Sequence, residues 1–215
     1  MVTVHCFSEV GGHRLNEDTF AVKEHPLETG LWLCFLADGQ GGRAGGGVAS
    51  RVACQAALDA AIESRPERLI LPHTWLSIIQ QADEAVSADP DAGFTTLVGL
   101  CVSQSWVMGA SNGDSAALLV YGEKAIELTS GQRKNPPVGS GGAEAVSFSA
   151  LLTPPWKVIV MSDGVWKYVR WDRVIEAARS EHGAALIEEL QRPARLPGNG
   201  EFQDDFTVVV LEATA

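Results

Sequence analysis

The hydrophobic and polar positions divide the chain into strand-like and helix-like stretches. Short apolar runs bounded by turn residues predict β-strands, and the unbroken run over residues 31–37 predicts a strand buried on both faces. Residues 46–63 and 73–87 instead repeat apolar side chains at i, i+3 and i+4, which predicts two helices. Shorter stripes of the same period predict helices around residues 171–178 and 186–190. The predicted strands cover residues 2–10, 19–23, 31–37, 94–103, 105–110, 116–121, 124–128, 145–148, 157–161 and 206–211.

The order of these elements indicates the fold class. A helix pair, four strands joined by short turns, a second helix pair and a final strand follow one another without regular βαβ alternation. The short turns between residues 94 and 128 predict an antiparallel meander. We therefore predict an α+β fold in which two antiparallel sheets pack together and helices cover the outside. Residues 130–144 and 192–203 are predicted loops, and the whole chain, residues 1–215, is predicted to form a single domain.

Composition narrows the classes of partner and compartment. The net charge is −11 and no basic run is present, which argues against nucleic acid or an anionic membrane as a partner. The four cysteines are scattered without a metal-ligand spacing, so we expect reduced, structural thiols. Neither a leader-like start nor an apolar run of about 20 residues is present, which predicts a cytoplasmic location.

One local pattern occurs twice and points to chemistry. Apolar strands run into Asp38-Gly39 and, with one serine between, into Asp163-Gly164. Each copy delivers a carboxylate to the edge of a sheet, and two carboxylates at one point can hold a hard divalent cation. Acidic clusters at residues 16–18 and 204–205 also lie beside apolar runs. Oxygen donors without a His/Cys set favour Mg²⁺ or Mn²⁺ over zinc, so the pattern predicts a metal enzyme.

Together with four other motifs, these two copies resemble the metal-dependent protein phosphatases, the type 2C serine/threonine phosphatase family. The resemblance extends over residues 11–211, and the motifs stand in the order of that family. They are Asn16-Glu17-Asp18, Ala37-Asp38-Gly39-Gln40-Gly41-Gly42, Gly93-Phe94-Thr95-Thr96, Asn112-Gly113-Asp114-Ser115, Ser162-Asp163-Gly164-Val165-Trp166 and Asp204-Asp205-Phe206-Thr207.

The resemblance implies a fold, a reaction and a set of ligands. The fold is an αββα four-layer sandwich, and the reaction is hydrolysis of phosphoserine or phosphothreonine by a hydroxide that bridges two Mn²⁺ or Mg²⁺ ions. The implied substrate is a phosphorylated protein, the product of a cognate serine/threonine kinase. Asp205 is an alternative ligand to Asp204, although the family pattern favours Asp204. The implied ligands are Asp38 as the bridge, the Gly39 carbonyl, Asp163 and Asp204, with Glu17 and Asp18 orienting waters.

Two positions near the expected substrate depart from the family pattern. His13 stands where many members have a phosphate-binding arginine, and Arg14 follows it, so either is a candidate catalytic residue that binds phosphate. A surface turn is the alternative for both. Gln40 replaces the histidine that some members place after the second motif. The leaving group must then take its proton from His13, from a water on the metal or from solvent.

The expected number of ions rests on Asp114 and Lys167. Bacterial members often bind a third ion with the aspartate that corresponds to Asp114 and a second carboxylate at the position of Lys167. An ammonium group there replaces a cation, so we expect two ions and a weakened or absent third site. Asp114 is then expected either to pair with Lys167 or to end a turn. The segment over residues 129–144, with Arg133 and Lys134, is either a short substrate-contacting flap or a solvated loop.

Two other functions remain open at this stage. A catalytically silent member of the family would serve as a regulatory module that binds a kinase or a sensor. A phosphatase of small phosphorylated metabolites would keep the metal chemistry and change the substrate.

Overall fold

The computed structural model describes residues 1–12, 14–40 and 45–214, which form ten strands and five helices. The strands are β1 (Val2–Glu9), β2 (Asp18–Glu24), β3 (Trp32–Asp38), β4 (Leu97–Val102), β5 (Trp106–Asn112), β6 (Ala116–Tyr121), β7 (Lys124–Glu127), β8 (Val146–Leu151), β9 (Trp156–Met161) and β10 (Phe206–Ala213). The helices are α1 (Gly46–Glu63), α2 (Pro72–Ala88), α3 (Asp163–Val169), α4 (Trp171–Ser180) and α5 (Gly183–Ala194).

The strands form two five-stranded antiparallel sheets. The first sheet has the order β1-β10-β9-β6-β7, and the second has the order β2-β3-β4-β5-β8. In the second sheet Asp18 lies directly opposite Asp38, so that two of the candidate site residues share one end of a strand pair.

The unbroken apolar run of β3 is explained by burial on both of its faces. Side chains alternate along a strand, so Cys34 and Leu36 point between the two sheets while Leu33 and Phe35 point toward α1 and α2. A second set of apolar residues joins the first sheet to α3, α4 and α5. The layers are therefore helix, sheet, sheet and helix, and the predicted αββα sandwich is confirmed.

The helices follow their predicted patterns with two differences. Small residues of α1 such as Ala49, Ala53 and Ala57 are fully buried, as the alanine-rich face predicted. The short helix α3 was not predicted, because seven residues are too few to show a period. Helix α5 extends to Ala194, inside the predicted loop over residues 192–203.

The predicted meander over residues 94–128 is wrong. Strands β4 and β5 pair with each other in the second sheet, whereas β6 and β7 pair in the first. The chain changes sheet at residues 113–115, where Gly113 has a φ of 120° and packs against Thr96. A short Asn-Gly turn looks like a hairpin in the sequence. In this structure the turn instead connects the two sheets and places Asp114 at the end of the sandwich.

All four cysteines are free, as expected, and burial raises the pKa of the Cys34, Cys54 and Cys101 thiols. In the part of the chain that the structure describes, no helix has the length and apolar character needed to cross a bilayer.

Candidate active site

A cavity of about 400 Å³ lies at one end of the sandwich, where the end of β3 meets the start of α3 and the turn before β10. The connection between β5 and β6 and the loop before β8 close its other sides. Its lining includes Asp38, Gly39, Asp114, Lys134, Asp163 and Asp204.

Asp38 is the last residue of β3, and its backbone is held on both sides. Its N–H donates to the Thr96 hydroxyl at 2.9 Å, and its carbonyl accepts from the Thr96 N–H at 2.9 Å and the Thr95 hydroxyl at 2.8 Å. Burial raises the pKa of the Asp38 carboxyl well above its usual value, and the negative charges of Asp18 and Asp163 raise it further. The fold therefore fixes a carboxylate where a negative charge is unfavourable without a cation.

Asp18 adds a second such carboxylate on the neighbouring strand. It is 8% exposed, and among the described residues neither of its carboxylate oxygens has a hydrogen-bond partner of normal geometry. The pKa of Asp18 is raised to about 7, chiefly by burial and further by the charges of Asp205 and Asp163, while the nearby hydroxyls of Ser162 and Thr207 act in the opposite direction. Unpartnered buried carboxylate oxygens are costly, and a divalent cation offsets that cost.

Asp163 differs from Asp38 and Asp18 because a lysine of this chain pairs with its carboxylate. It begins α3, and one turn later Lys167 forms an ion pair with it. Burial still raises the pKa of Asp163, although the hydrogen bond and charge of Lys167 act in the opposite direction. The same pairing raises the pKa of Lys167 against the effect of its own burial.

Asp114 also pairs with a lysine, but not with the expected one. Its Oδ2 atom accepts a hydrogen bond from Lys134 Nζ at 2.5 Å, so the loop before β8 supplies the counter-charge. The possible Asp114–Lys167 ion pair is therefore not formed. Two of the carboxylates that face the cavity thus have ammonium partners from this chain.

The donor set fits Mg²⁺ or Mn²⁺ in its chemistry. All the candidate donors are oxygens, and buried Asp18 and Asp38 are the groups whose charge most needs compensation. Within the described residues no three acidic, histidine or cysteine side chains already lie at the spacing of a metal cluster. Binding of an ion there requires the carboxylates to converge further.

The family follows from a direct comparison. A family model described as protein phosphatase 2C matches residues 10–194. The chain belongs to the protein phosphatase 2C family. It is therefore a hydrolase, a phosphoprotein phosphatase, as the motifs predicted. The family generally uses Mn²⁺ or Mg²⁺, which agrees with the oxygen donors around the cavity.

Three solved structures illustrate the shared fold, and two of them are serine/threonine phosphatases. The serine/threonine phosphatase Stp1 from Staphylococcus aureus has a TM-score of 0.79 at 19% identity, covering 100% of this chain and 96% of that chain. PstP/Ppp from Mycobacterium tuberculosis has a TM-score of 0.77 at 21% identity, covering 100% and 99%. RsbX in complex with magnesium has a TM-score of 0.74 at 14% identity, covering 98% and 94%. No curated protein sequence matches the chain significantly.

The neighbouring acids Asp204 and Asp205 have different surroundings in this phosphatase. Asp205 is buried, and its two oxygens accept hydrogen bonds from the backbone N–H groups of Gly11 at 2.8 Å and Glu17 at 2.7 Å. It therefore holds the segment that leads into β2. Asp204 is half-buried at the cavity, and this difference favours Asp204 over Asp205 as a candidate metal ligand.

Both Asp-Gly glycines in the phosphatase are required by close backbone approach. A Cβ atom on Gly39 would lie 2.4 Å from the backbone of Gly46, at the start of α1. A Cβ atom on Gly164 would lie 2.0 Å from the Asp205 carbonyl oxygen. These contacts bring the carboxylates and the elements behind them into one small volume.

Among the described residues, the predicted site residues Glu17 and Arg14 do not line the cavity. Glu17 lies beside the start of α1, with its carboxylate 3.1 Å from the position of a Cβ on Gly46. Arg14 is exposed and is not among the described residues that line the cavity. His13 lies outside the described residues. Gln40 does line the cavity.

The sequence interpretation missed Asp83, which positions the loop before β8. This side chain of α2 is 4% exposed, and its carboxylate accepts backbone N–H bonds from Gly139 at 2.6 Å, Gly141 at 3.1 Å and Ala143 at 3.0 Å. The available signal was an acid within the apolar stripe of a helix, since a buried acid needs partners. Through that loop, Asp83 supports the segment that carries Lys134.

Proposed function

We propose that this phosphatase hydrolyses phosphoserine and phosphothreonine in proteins, with two Mn²⁺ or Mg²⁺ ions held at the acidic cavity. The observation that carries the proposal is the convergence of Asp38, Asp163 and Asp204 on one cavity, with unpartnered Asp18 behind Asp38. Burial, and then repulsion from the neighbouring acids, raises the pKa of Asp38, which is the electrostatic condition that a bound cation relieves.

Each residue would contribute in a specific way. Asp38 would bridge both ions, the Gly39 carbonyl would bind one of them, and Asp163 and Asp204 would hold the other. Glu17 and Asp18 would orient the water around them. When bound, the ions would lower the pKa of a shared water and stabilise charge on the phosphoryl oxygens.

The chain's own cations and polar groups would handle the substrate. Lys134 lies at the cavity with Asp114, where its ammonium group can turn toward the oxygens of an entering phosphate. His13 and Arg14 remain candidates for phosphate binding. Gln40 cannot supply a proton, so the leaving alkoxide must be protonated by His13 or by water.

The substrate is proposed to be a phosphoprotein made by a serine/threonine kinase. The fold relative RsbX was solved in complex with magnesium, which supports a divalent ion in this fold. The single domain over residues 1–215 and the cytoplasmic location stay predictions from the sequence, as does the expectation of no nucleic-acid or membrane partner.

A substrate panel with metal titration tests the proposal. The purified chain should hydrolyse phosphothreonine and phosphoserine peptides with added Mn²⁺, and chelation should remove the activity. Calorimetry should show two Mn²⁺ ions per chain. Faster turnover of small phosphorylated metabolites than of peptides would indicate a phosphatase of small metabolites. No turnover together with no Mn²⁺ binding would indicate a regulatory module.

A further inference from the structure

A second, smaller cavity adjoins the acidic one across the connection between β5 and β6. Gly113 and Asp114 line both cavities, so the two share a wall. The smaller cavity has a volume of about 150 Å³. That is well below the roughly 300 Å³ at which small-molecule pockets begin, and it suits the end of a single side chain. We call it the tryptophan cavity, and its other characteristic residues are Glu127, Gln132, Trp166 and Trp171.

Two stacked indoles give the tryptophan cavity an aromatic wall. The rings of Trp166 and Trp171 have centroids 6.1 Å apart and an interplanar angle of 22°. Trp166 is also fixed by its Nε1–H, which donates to the Asp114 carbonyl at 3.0 Å. Lys167 Nζ lies 5.7 Å from the Trp166 ring centroid, so this aromatic pair already accommodates one cation.

The polar groups of the tryptophan cavity are acceptors. Gln132 donates through Nε2 to the Ser115 carbonyl at 2.8 Å, which leaves its Oε1 atom as the acceptor. That Oε1 is buried and has no hydrogen-bond partner among the described residues. Glu127 adds an exposed carboxylate at the end of β7, and partial burial raises its pKa. An exposed carboxylate beside aromatic rings is suited to a cationic donor.

We propose that the tryptophan cavity binds a basic side chain of the phosphoprotein substrate, arginine in preference to lysine, close to the phosphorylated residue. This inference rests on the proposed function, because the shared wall makes sense only if the phosphorylated residue enters the acidic cavity. The guanidinium group is planar, stacks on aromatic rings and offers five N–H donors, so it suits the indoles and the Glu127 carboxylate better than an ammonium group does. An extended peptide advances roughly 3.3 Å per residue, so the basic residue is expected within about three positions of the phosphorylated one.

Matched phosphothreonine peptides test the inference. Arginine, citrulline, lysine or glutamine is placed in turn at each of the three positions on either side of phosphothreonine, and kcat/KM is measured with Mn²⁺. At one position, arginine should exceed citrulline by about 5- to 10-fold, the scale of one cation–π contact with one ion pair. Glu127→Gln should reduce that ratio to about twofold. It should leave hydrolysis of a small aryl phosphate unchanged, because Glu127 does not line the acidic cavity.

Glu123→Gln is the matched control, since Glu123 is also an exposed acid next to the β6–β7 hairpin but does not line the tryptophan cavity. This variant should keep the full arginine preference. An equal rate for arginine and citrulline peptides at every position, in an enzyme that hydrolyses them all, would overturn the inference and leave the proposed function intact. Loss of hydrolysis of every peptide and of the aryl phosphate would instead count against the proposed function.

A binding measurement separates the two outcomes further, because it needs no turnover. An unphosphorylated arginine peptide is titrated into the protein, and the indole N–H resonances are followed by NMR. The Trp171 resonance should shift with arginine and not with citrulline, and Glu127→Gln should weaken the titration. Equal shifts with both peptides, or none, would contradict the tryptophan cavity as an arginine site even if the protein proved inactive.

Discussion

The two Asp-Gly strand ends look alike in the sequence and differ in their electrostatic surroundings. Asp38 ends β3, with its backbone held by Thr95 and Thr96 and with the acids Asp18 and Asp163 as its charged neighbours. Asp163 begins α3 and forms an ion pair with Lys167 one turn away. Burial raises the pKa of both carboxyls, but among the described residues a cation opposes that rise at Asp163 and not at Asp38.

The same motif therefore supplies two kinds of carboxylate, which differ in the source of the cation that compensates their charge. Asp38 depends on an external cation for charge compensation, whereas Asp163 carries an internal substitute that an external cation must displace. The distinction lies in residues outside the motif, namely the acid opposite Asp38 and the lysine after Asp163. Substitutions at and around the two ends can therefore test how far their roles diverge.

The largest effect is expected when Asp38 itself is changed. Asp38→Asn should reduce Mn²⁺-dependent hydrolysis of a phosphothreonine peptide by about 10³-fold, because several kcal/mol of metal stabilisation correspond to such a factor. Asp163→Asn should cost less, since its carboxylate already interacts with Lys167. Asp172→Asn, at an acid of α4 whose side chain is 69% exposed, is the control. Equal losses for Asp38→Asn and Asp163→Asn would remove the proposed difference.

The glycines of the two copies should show the next largest effect, in stability. Gly39→Ala and Gly164→Ala each place a methyl group against backbone, at 2.4 Å and 2.0 Å, and overpacking of this kind costs about 1–3 kcal/mol. For a chain of this length, each kcal/mol lowers Tm by about 2–4 °C. Gly198→Ala is the control, because its Cβ would meet nothing within 4 Å. An unchanged Tm for either substitution would mean that the backbone can relax at that end.

Much of the fold was predictable from the sequence because the spacing of the apolar residues matches the faces of the strands and helices that are buried. The run over residues 31–37 is apolar because β3 is covered on both faces, and the alanines of α1 repeat because that helix packs closely. The change of sheet after β5 was not predictable in this way. A Gly-containing turn is the same local signal whether the next strand pairs with the last one or joins the facing sheet, and long-range packing decides between them.

The carboxylates of the candidate site were predictable from the sequence, whereas the groups that pair with them were not. Asp38 and Asp163 follow apolar strands, which is a local pattern. The pairing of Asp114 with Lys134 joins residues 20 positions apart through a loop whose course is set by Asp83. The division between Asp204 and Asp205 depends on backbone N–H groups almost 190 residues away. Such contacts form only in the folded chain, so no spacing in the sequence indicates them.

Substitution of Asp18 tests whether its own carboxylate, next to Asp38, lacks charge compensation. The expected effect on stability is smaller than that of the glycine substitutions. Its raised pKa means that the folded, metal-free protein binds a proton that the unfolded chain releases above about pH 4. The free energy of unfolding should therefore fall as the pH rises from about 4 to about 7. Asp18→Asn should reduce that slope without abolishing it, because the pKa of Asp38 is raised as well, and should stabilise the chelated protein by about 1–2 kcal/mol at pH 7.5.

The measurement is Tm in EDTA at several pH values, with Asp83→Asn as the contrasting variant. Asp83 is equally buried, but three backbone N–H groups bind its carboxylate, so Asp83→Asn should lower Tm throughout. Added Mn²⁺ should stabilise the native sequence more than Asp18→Asn. A lower Tm for Asp18→Asn at every pH would mean that this carboxylate is compensated within the chain after all.

The smallest effect is expected from Lys167, which supplies the internal charge at the second strand end. Because the Lys167 side chain is 40% exposed, its ion pair is expected to contribute only about 0.2–1 kcal/mol, so Lys167→Met should lower the Mn²⁺ concentration for half-maximal activity by about 2- to 5-fold. Arg192→Met is the matched control, because Arg192 forms a similar helical ion pair with Glu189 away from the acidic cavity. Weaker Mn²⁺ activation in Lys167→Met would show that the ammonium group assists the metal site, and Asp163 would then resemble Asp38 more closely than the ion pair indicates.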